Sequence, residues 1–137
     1  MALSPLQLEI LRISKYKKRD IDWLRNGIRI EKDSGKPIDE LVIDACSARH
    51  SLSTYFLRSA ALLLKTKPVR HRDVISRSYY AMYHAARAVV YLAHQGDDHQ
   101  EHDQLYKNLP DDFLDVAVWK NELKDARLKR NEACLSG

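Results

Sequence analysis

Glycine is scarce in this chain, with four in 137 residues, and none lie in a cluster. A Gly-rich phosphate loop is therefore missing, which excludes nucleotide binding of the P-loop or Rossmann kind. Cysteine is scarcer still. Cys46 and Cys134 lie far apart and form no Cys-x-x-Cys, so two reduced thiols are expected rather than a bridge. The chain contains no His-Glu-x-x-His, no paired Glu-x-x-His and no Gly-x-Ser-x-Gly. Those absences remove the usual zinc-hydrolase, dinuclear carboxylate and serine-hydrolase patterns. No run of about 18 apolar residues occurs, so no membrane span is expected. The stretch MALSPLQLEILRISKYKKR lacks a basic segment ahead of its apolar residues, so no secretory signal is expected and the cytoplasm is the expected compartment. Strand-like alternation, internal repeats and low-complexity tracts are missing as well.

What is present suits a helical domain with one core. Hydrophobic residues make up 45% and charged residues 31%. The net charge of +4 is unevenly spread: residues 51–95 carry +6, residues 96–137 carry −4, and residues 1–50 carry +2. A basic middle and an acidic end can neutralise each other within the fold or between copies, or the basic part can meet a polyanion.

Ser4 and Pro5 predict the start of a short first helix. After the basic cluster Lys15–Arg19, Asp20 predicts the start of a second. Ser34–Pro37 reads as a loop. A third helix is expected from Asp39 to about Lys67, ended by Pro68. A central helix is expected over Asp73–Gln95, with Gly96 as its stop. A short helix is expected over Gln100–Asn108. Pro110 predicts the start of the last helix, with Asp111 and Asp112 in its first turn and Lys124, Arg127, Lys129 and Arg130 crowding its C-terminal end. The pattern predicts an all-α, up-and-down helical bundle over residues 41–137, with residues 1–40 as an N-terminal helical extension.

The central helix organises the rest. At about 100° per residue, Ile75, Tyr79, Met82, Ala86, Val89, Val90 and Ala93 fall on one side, the expected core face. Asp73, Arg77, Tyr80, His84, Arg87, Tyr91 and His94 form a stripe on the other. That stripe mixes Arg, His and Tyr without a single Lys, which suits a buried polar contact, a subunit interface, or a surface meeting phosphate and base. Arg77 and His84 lie two turns apart. An arginine can stabilise a phosphate, and a histidine can move a proton from a ribose hydroxyl near neutral pH. The pair could support metal-independent RNA cleavage, with Arg87 adding charge; alternatively both only bond to neighbouring helices. His94, His99 and His102 stand among Asp97, Asp98, Glu101 and Asp103, a weak divalent-metal pattern. No metal and no cofactor is expected.

The run Ser76-Arg77-Ser78-Tyr79-Tyr80-Ala81-Met82-Tyr83-His84-Ala85-Ala86-Arg87-Ala88 resembles the central helix of HEPN domains, small helical domains named for nucleotide binding in higher eukaryotes and prokaryotes. The run from Trp119 to Ala133 is similar to that family's closing helix, so the resemblance covers about residues 44–134. It implies a four-helix core, a homodimer, and a role in toxin–antitoxin systems beside a minimal nucleotidyltransferase, with RNA as a partner. Cleaving members carry an Arg, four to six residues, then a His near the closing helix. Here Arg130 and Asn131 match the start of that motif, but Leu135, Ser136 and Gly137 stand where the His would fall. Non-cleaving members carry Ala-Asp-Tyr, and this chain has Ala133-Cys134-Leu135. Arg77 and His84 keep the spacing, on a different helix. The resemblance implies Arg77, His84 and Arg130 as catalytic candidates, and Arg77, Tyr80, His84, Arg87, Tyr91, Arg127, Arg130 and Asn131 as RNA-binding or interface candidates.

Overall fold

The computed structural model describes residues 4–135. It is all-α, 76% helical, and no strand occurs among the described residues. The helices are α1 (Pro5–Ile13), α2 (Lys18–Ser34), α3 (Ile38–Leu63), α4 (His71–His94) and α5 (Val116–Leu135), with a 3-10 turn at Leu105–Asn108 before α5. The chain divides into two compact units, Met1–Leu41 and Val42–Gly137. No helix among the described residues is long and apolar enough to cross a membrane.

In the first unit, local chemistry sets the helix ends. Ser4 Oγ accepts from the Gln7 backbone and the Gln7 side chain accepts from the Ser4 backbone, a reciprocal cap that starts α1. α2 starts two residues before Asp20. The Asp20 carboxylate accepts from the Lys17 backbone, so it serves the first turn from within. Gly35, at φ 68, closes α2 in the left-handed conformation. No residue of α1 or α2 is buried.

The second unit holds the core. Tyr79, Tyr83 and Val90 of α4 pack with Leu105, Leu109 and Leu123. α3 meets α4 along a seam of small residues. Cys46, Ser53 and Ala60 recur every seven residues on α3, and Ala81 and Ala88 do so on α4. Seven residues return to the same face after two turns, and small side chains let two helix axes come close. The Ser53 hydroxyl donates to the Ala81 carbonyl at 2.7 Å and the Cys46 thiol to that of Ala88 at 3.3 Å. α5 runs back along α4, and Arg72 near the start of α4 donates to the Ala133 and Cys134 carbonyls at 2.6 and 3.1 Å.

Several boundaries differ from the sequence pattern. α3 ends at Leu63, four residues before Lys67, because Pro68 lacks the N–H that would meet the Leu64 carbonyl and its ring would clash there. Thr66 Oγ1 then donates to the Leu63 carbonyl. α4 stops on Gln95, which takes the left-handed position at φ 56 ahead of Gly96, and its side-chain amide donates to the Leu92 carbonyl. The expected short helix from Gln100 shrinks to the 3-10 turn. α5 starts at Val116 instead of Pro110. Turns occupy residues 110–114, and Asp115 at φ 54 breaks any helix entering from Pro110. Asp111 and Asp112 therefore sit outside its first turn. Because α5 continues to Leu135, Lys124, Arg127, Lys129 and Arg130 also precede its last turn.

The expected core face needs correction too. Ile75 is exposed at 38%, and Ala93 is exposed as well. Tyr79 and Val90 of that face are buried and Met82, Ala86 and Val89 pack against the core, but Ala81, Tyr83 and Ala88, which lie off it, are buried as well. α4 is covered on several sides, by α3, by α5 and by the segment that follows it, so a single amphipathic face does not describe it.

Candidate functional site: a closed arginine, histidine and tyrosine cluster

The stripe on α4 is covered largely by its own unit. Phe56 comes from α3, Arg130 from α5, and Asp97, Gln100 and His102 from the segment after α4. His84 stacks on Phe56 with ring centres 5.3 Å apart and planes 8° from parallel. It also stacks on Tyr80 at 6.2 Å and meets Tyr83 edge-on at 5.1 Å. Burial pushes the His84 pKa below the ordinary histidine value, and the positive charges of Arg49 and Arg87 and nearby His102 push the same way. The ring is therefore neutral near pH 7. Its Nδ1 is the one buried side-chain N or O without a hydrogen-bond partner among the described residues.

Arg87 is committed to a carboxylate. Its Nε donates to Asp97 Oδ1 at 2.8 Å and its Nη2 to the other oxygen, while Nη2 also reaches Gln100 Oε1 at 2.9 Å. Arg49 meets the same carboxylate at 3.3 Å. These hydrogen bonds hold the Asp97 pKa below the usual carboxylate range and raise that of Arg87. A two-pronged guanidinium–carboxylate pair fixes orientation as well as charge.

Tyr79 and His102 form the second polar link, with the hydroxyl 2.5 Å from Nδ1. Burial pushes the Tyr79 pKa up to about 12 against the pull of Arg130 and Arg127. Burial lowers the His102 pKa, and Arg130 and Arg127 lower it further. Near neutral pH the hydroxyl keeps its proton and shares a hydrogen bond with the neutral imidazole. His102 stacks on Tyr83 at 4.3 Å, and the Tyr83 hydroxyl donates to the Gln100 carbonyl at 2.7 Å. Arg130 lies over Tyr79 at 4.8 Å and Tyr80 at 5.8 Å, and its Nη2 donates to Asn131 Oδ1 at 2.7 Å.

The structure thus gathers Tyr80, His84, Arg87, Arg130 and Asn131. Arg77 joins through its guanidinium, 5.3 Å from the centre of the Phe56 ring on which His84 stacks. Arg127 is half-buried and acts on the cluster through its charge. Tyr91, also half-buried, makes none of these contacts among the described residues. Ser136 and Gly137, two positions of the family motif, lie outside the described residues.

Sequence pattern missed Phe56, Arg49 and Gln100, and it set Asp97 and His102 in a weak metal pattern rather than beside the stripe. The seven-residue spacing of small residues on α3 and α4 was a usable signal for Phe56. It fixes which face of α3 meets α4, and Phe56 stands three residues beyond Ser53, on that side. For Asp97 and His102 no local signal exists, because they lie in a polar connection whose partners are set by the fold. His94 and His99 meet edge-on at 4.7 Å, but no group of three or more His, Cys, Asp or Glu suited to a metal ion occurs among the described residues.

Chemically, the cluster can accept a proton at a neutral imidazole and hold positive charge beside aromatic faces. No family model matches the chain, and neither a curated protein nor a solved structure matches it.

Proposed function

We propose that the chain is a HEPN-like domain of the toxin–antitoxin kind that binds RNA without cleaving it. A homodimer and a minimal nucleotidyltransferase partner belong to the same reading and come from the resemblance alone. The observation that carries the non-cleaving reading is the engagement of Arg87 and His84. Arg87 is clamped by Asp97, and His84 is pressed between rings and held neutral with Nδ1 shut off from solvent. A general base acts as a neutral imidazole, and an arginine beside it must be free to meet the phosphate. Arg87, spent on Asp97, does not supply that second half beside His84. The basic stretch over residues 51–95 supports RNA as the ligand.

The test is to mix the protein with a labelled unstructured RNA in excess EDTA at two salt concentrations. Retention that weakens with salt, intact RNA, and the same result for His84→Gln are expected. Cleavage that vanishes in His84→Gln overturns the non-cleaving reading, and no retention at either salt overturns RNA binding.

One observation favours a second reading, a metal-independent endoribonuclease. Arg77 and His84 meet on the same Phe56 ring, and among the described residues neither side chain forms an ion pair or hydrogen bond. In that reading His84 takes the 2′-hydroxyl proton, Arg77 steadies the phosphate, and Arg130 adds charge.

A further inference from the structure

The second unit is charged oppositely at its two ends. α4 has 24 residues, so its ends lie about 36 Å apart at 1.5 Å per residue. At its start, three segments converge: the connection from α3, the first turn of α4, and the end of α5. Arg72 ties the last two together through the Ala133 and Cys134 carbonyls. An open cleft of about 490 Å³, lined by Arg70, Arg72, Asp73, Ser76 and Cys134, lies there. Lys65, Lys67, Arg70, Arg72 and Lys129 are all exposed at this end. Beyond the other end of α4, the exposed carboxylates are Asp98, Glu101, Asp103, Asp111, Asp112 and Asp115.

The basic end is also the less neutralised part of the unit's charge. Arg70 pairs with Asp73 at 2.7 Å. Arg72 spends its donors on helix carbonyls and forms no ion pair among the described residues, although Asp73 lines the same cleft. Lys65, Lys67 and Lys129 form no ion pair among the described residues. The Arg/His/Tyr stripe, by contrast, has its Arg87 and Arg49 charges met by Asp97. A phosphate backbone is held chiefly by cations that can release its counterions, and exposed unpaired lysines do that better than clamped arginines.

We propose that this basic end, and not the stripe, is where RNA sits, gripped by its backbone. The inference rests on the RNA-binding reading above and moves the site. With no aromatic side chain in the cleft lining, the grip is on phosphates, so binding is indifferent to base identity.

The test uses fluorescence anisotropy of labelled oligouridine over a salt series, with the full chain. Lys65→Gln/Lys67→Gln/Lys129→Gln changes three exposed residues, and circular dichroism should show the fold unchanged. Affinity should fall by about tenfold or more, and the slope of log affinity against log salt should flatten by about 2, at roughly 0.7 per phosphate contact on a single strand. Adding Asp103→Asn/Asp111→Asn/Asp112→Asn restores the net charge at the far end of the unit. Binding should stay weak. Recovery to the original affinity would mean that net charge alone attracts RNA, and would overturn the site. If the lysine variant binds as before while Arg77→Gln does not, RNA lies on the stripe: the site is wrong and the RNA-binding reading stands. An original chain that binds no oligouridine overturns both. If it then sediments with phosphatidylserine vesicles, the basic end is a lipid-surface site.

Discussion

The two sides of α4 do not divide into core and surface as their composition suggests. The side rich in Arg, His and Tyr is largely covered, with His84 stacked on Phe56 and Arg87 locked onto Asp97. The side built from Met82, Ala85, Ala86 and Val89 opens on a groove of about 230 Å³ shared with Leu109, Phe113, Trp119 and Leu123. Aromatic rings explain the difference. A tyrosine buries as much apolar area as a large aliphatic residue while its hydroxyl finds a partner at the edge. Tyr79 and Tyr83 can therefore anchor a core that alanines cannot fill. Polarity of a side chain is a poor guide to burial when the polar atom sits on the far end of a ring.

The largest effects should come from removing the buried rings of the core. Tyr79→Ala is expected to cost about 3–5 kcal/mol in urea unfolding, in line with large-to-small changes in a filled core. Met82→Ala, on the open side, is expected to cost about 1–2 kcal/mol, since a half-buried side chain loses less area from water. Equal costs would erase the distinction between the filled core and the groove beside it.

Asp97→Asn comes next. It leaves the partly buried Arg87 without a counter-charge, and a loss of about 1–3 kcal/mol is expected at neutral pH. The Asp97 pKa is lowered in the folded state. Its stabilisation is thus fully present above the unfolded carboxyl value of about 4 and is lost as pH falls through the folded value. The Asn variant should lose that acid-limb dependence, read from melting temperatures across pH.

Tyr83→Phe removes the hydrogen bond to the Gln100 carbonyl and should cost about 1 kcal/mol. His102 has a folded pKa below its unfolded value of about 6.5. Its contribution is complete above that value and declines as pH falls below it, because the unfolded chain binds the extra proton. His102→Gln should flatten the stability profile just below pH 6.5 but not abolish its slope, since the His84 pKa is lowered too. Smallest of all, Trp119→Ser at the rim of the groove, 48% exposed, should shift stability by no more than about 1 kcal/mol.

Much of this fold was legible in the sequence. The all-α class followed from period and punctuation, and Ser4 with Pro5 located the start of α1 because capping is local chemistry. Boundaries failed where the deciding interaction was conformational or distant. Gln95 displaced Gly96 as the left-handed residue, and Asp115 moved the start of α5. The stripe on α4 was readable as a set, since Arg77, Tyr80, His84 and Arg87 share one face. Its covering partners were not. Asp97 lies ten residues beyond Arg87 in a polar connection, and only the path of the chain brings it back.

The thiol of Cys46 points across the seam at the Ala88 carbonyl, while that of Cys134 lies in the open. The two cysteines therefore make a matched pair of clocks. Cys134 should react with a thiol reagent faster than Cys46, whose half-buried thiol is engaged with α4. The ratio of the two labelling rates would report how far the seam shields Cys46 in the native chain.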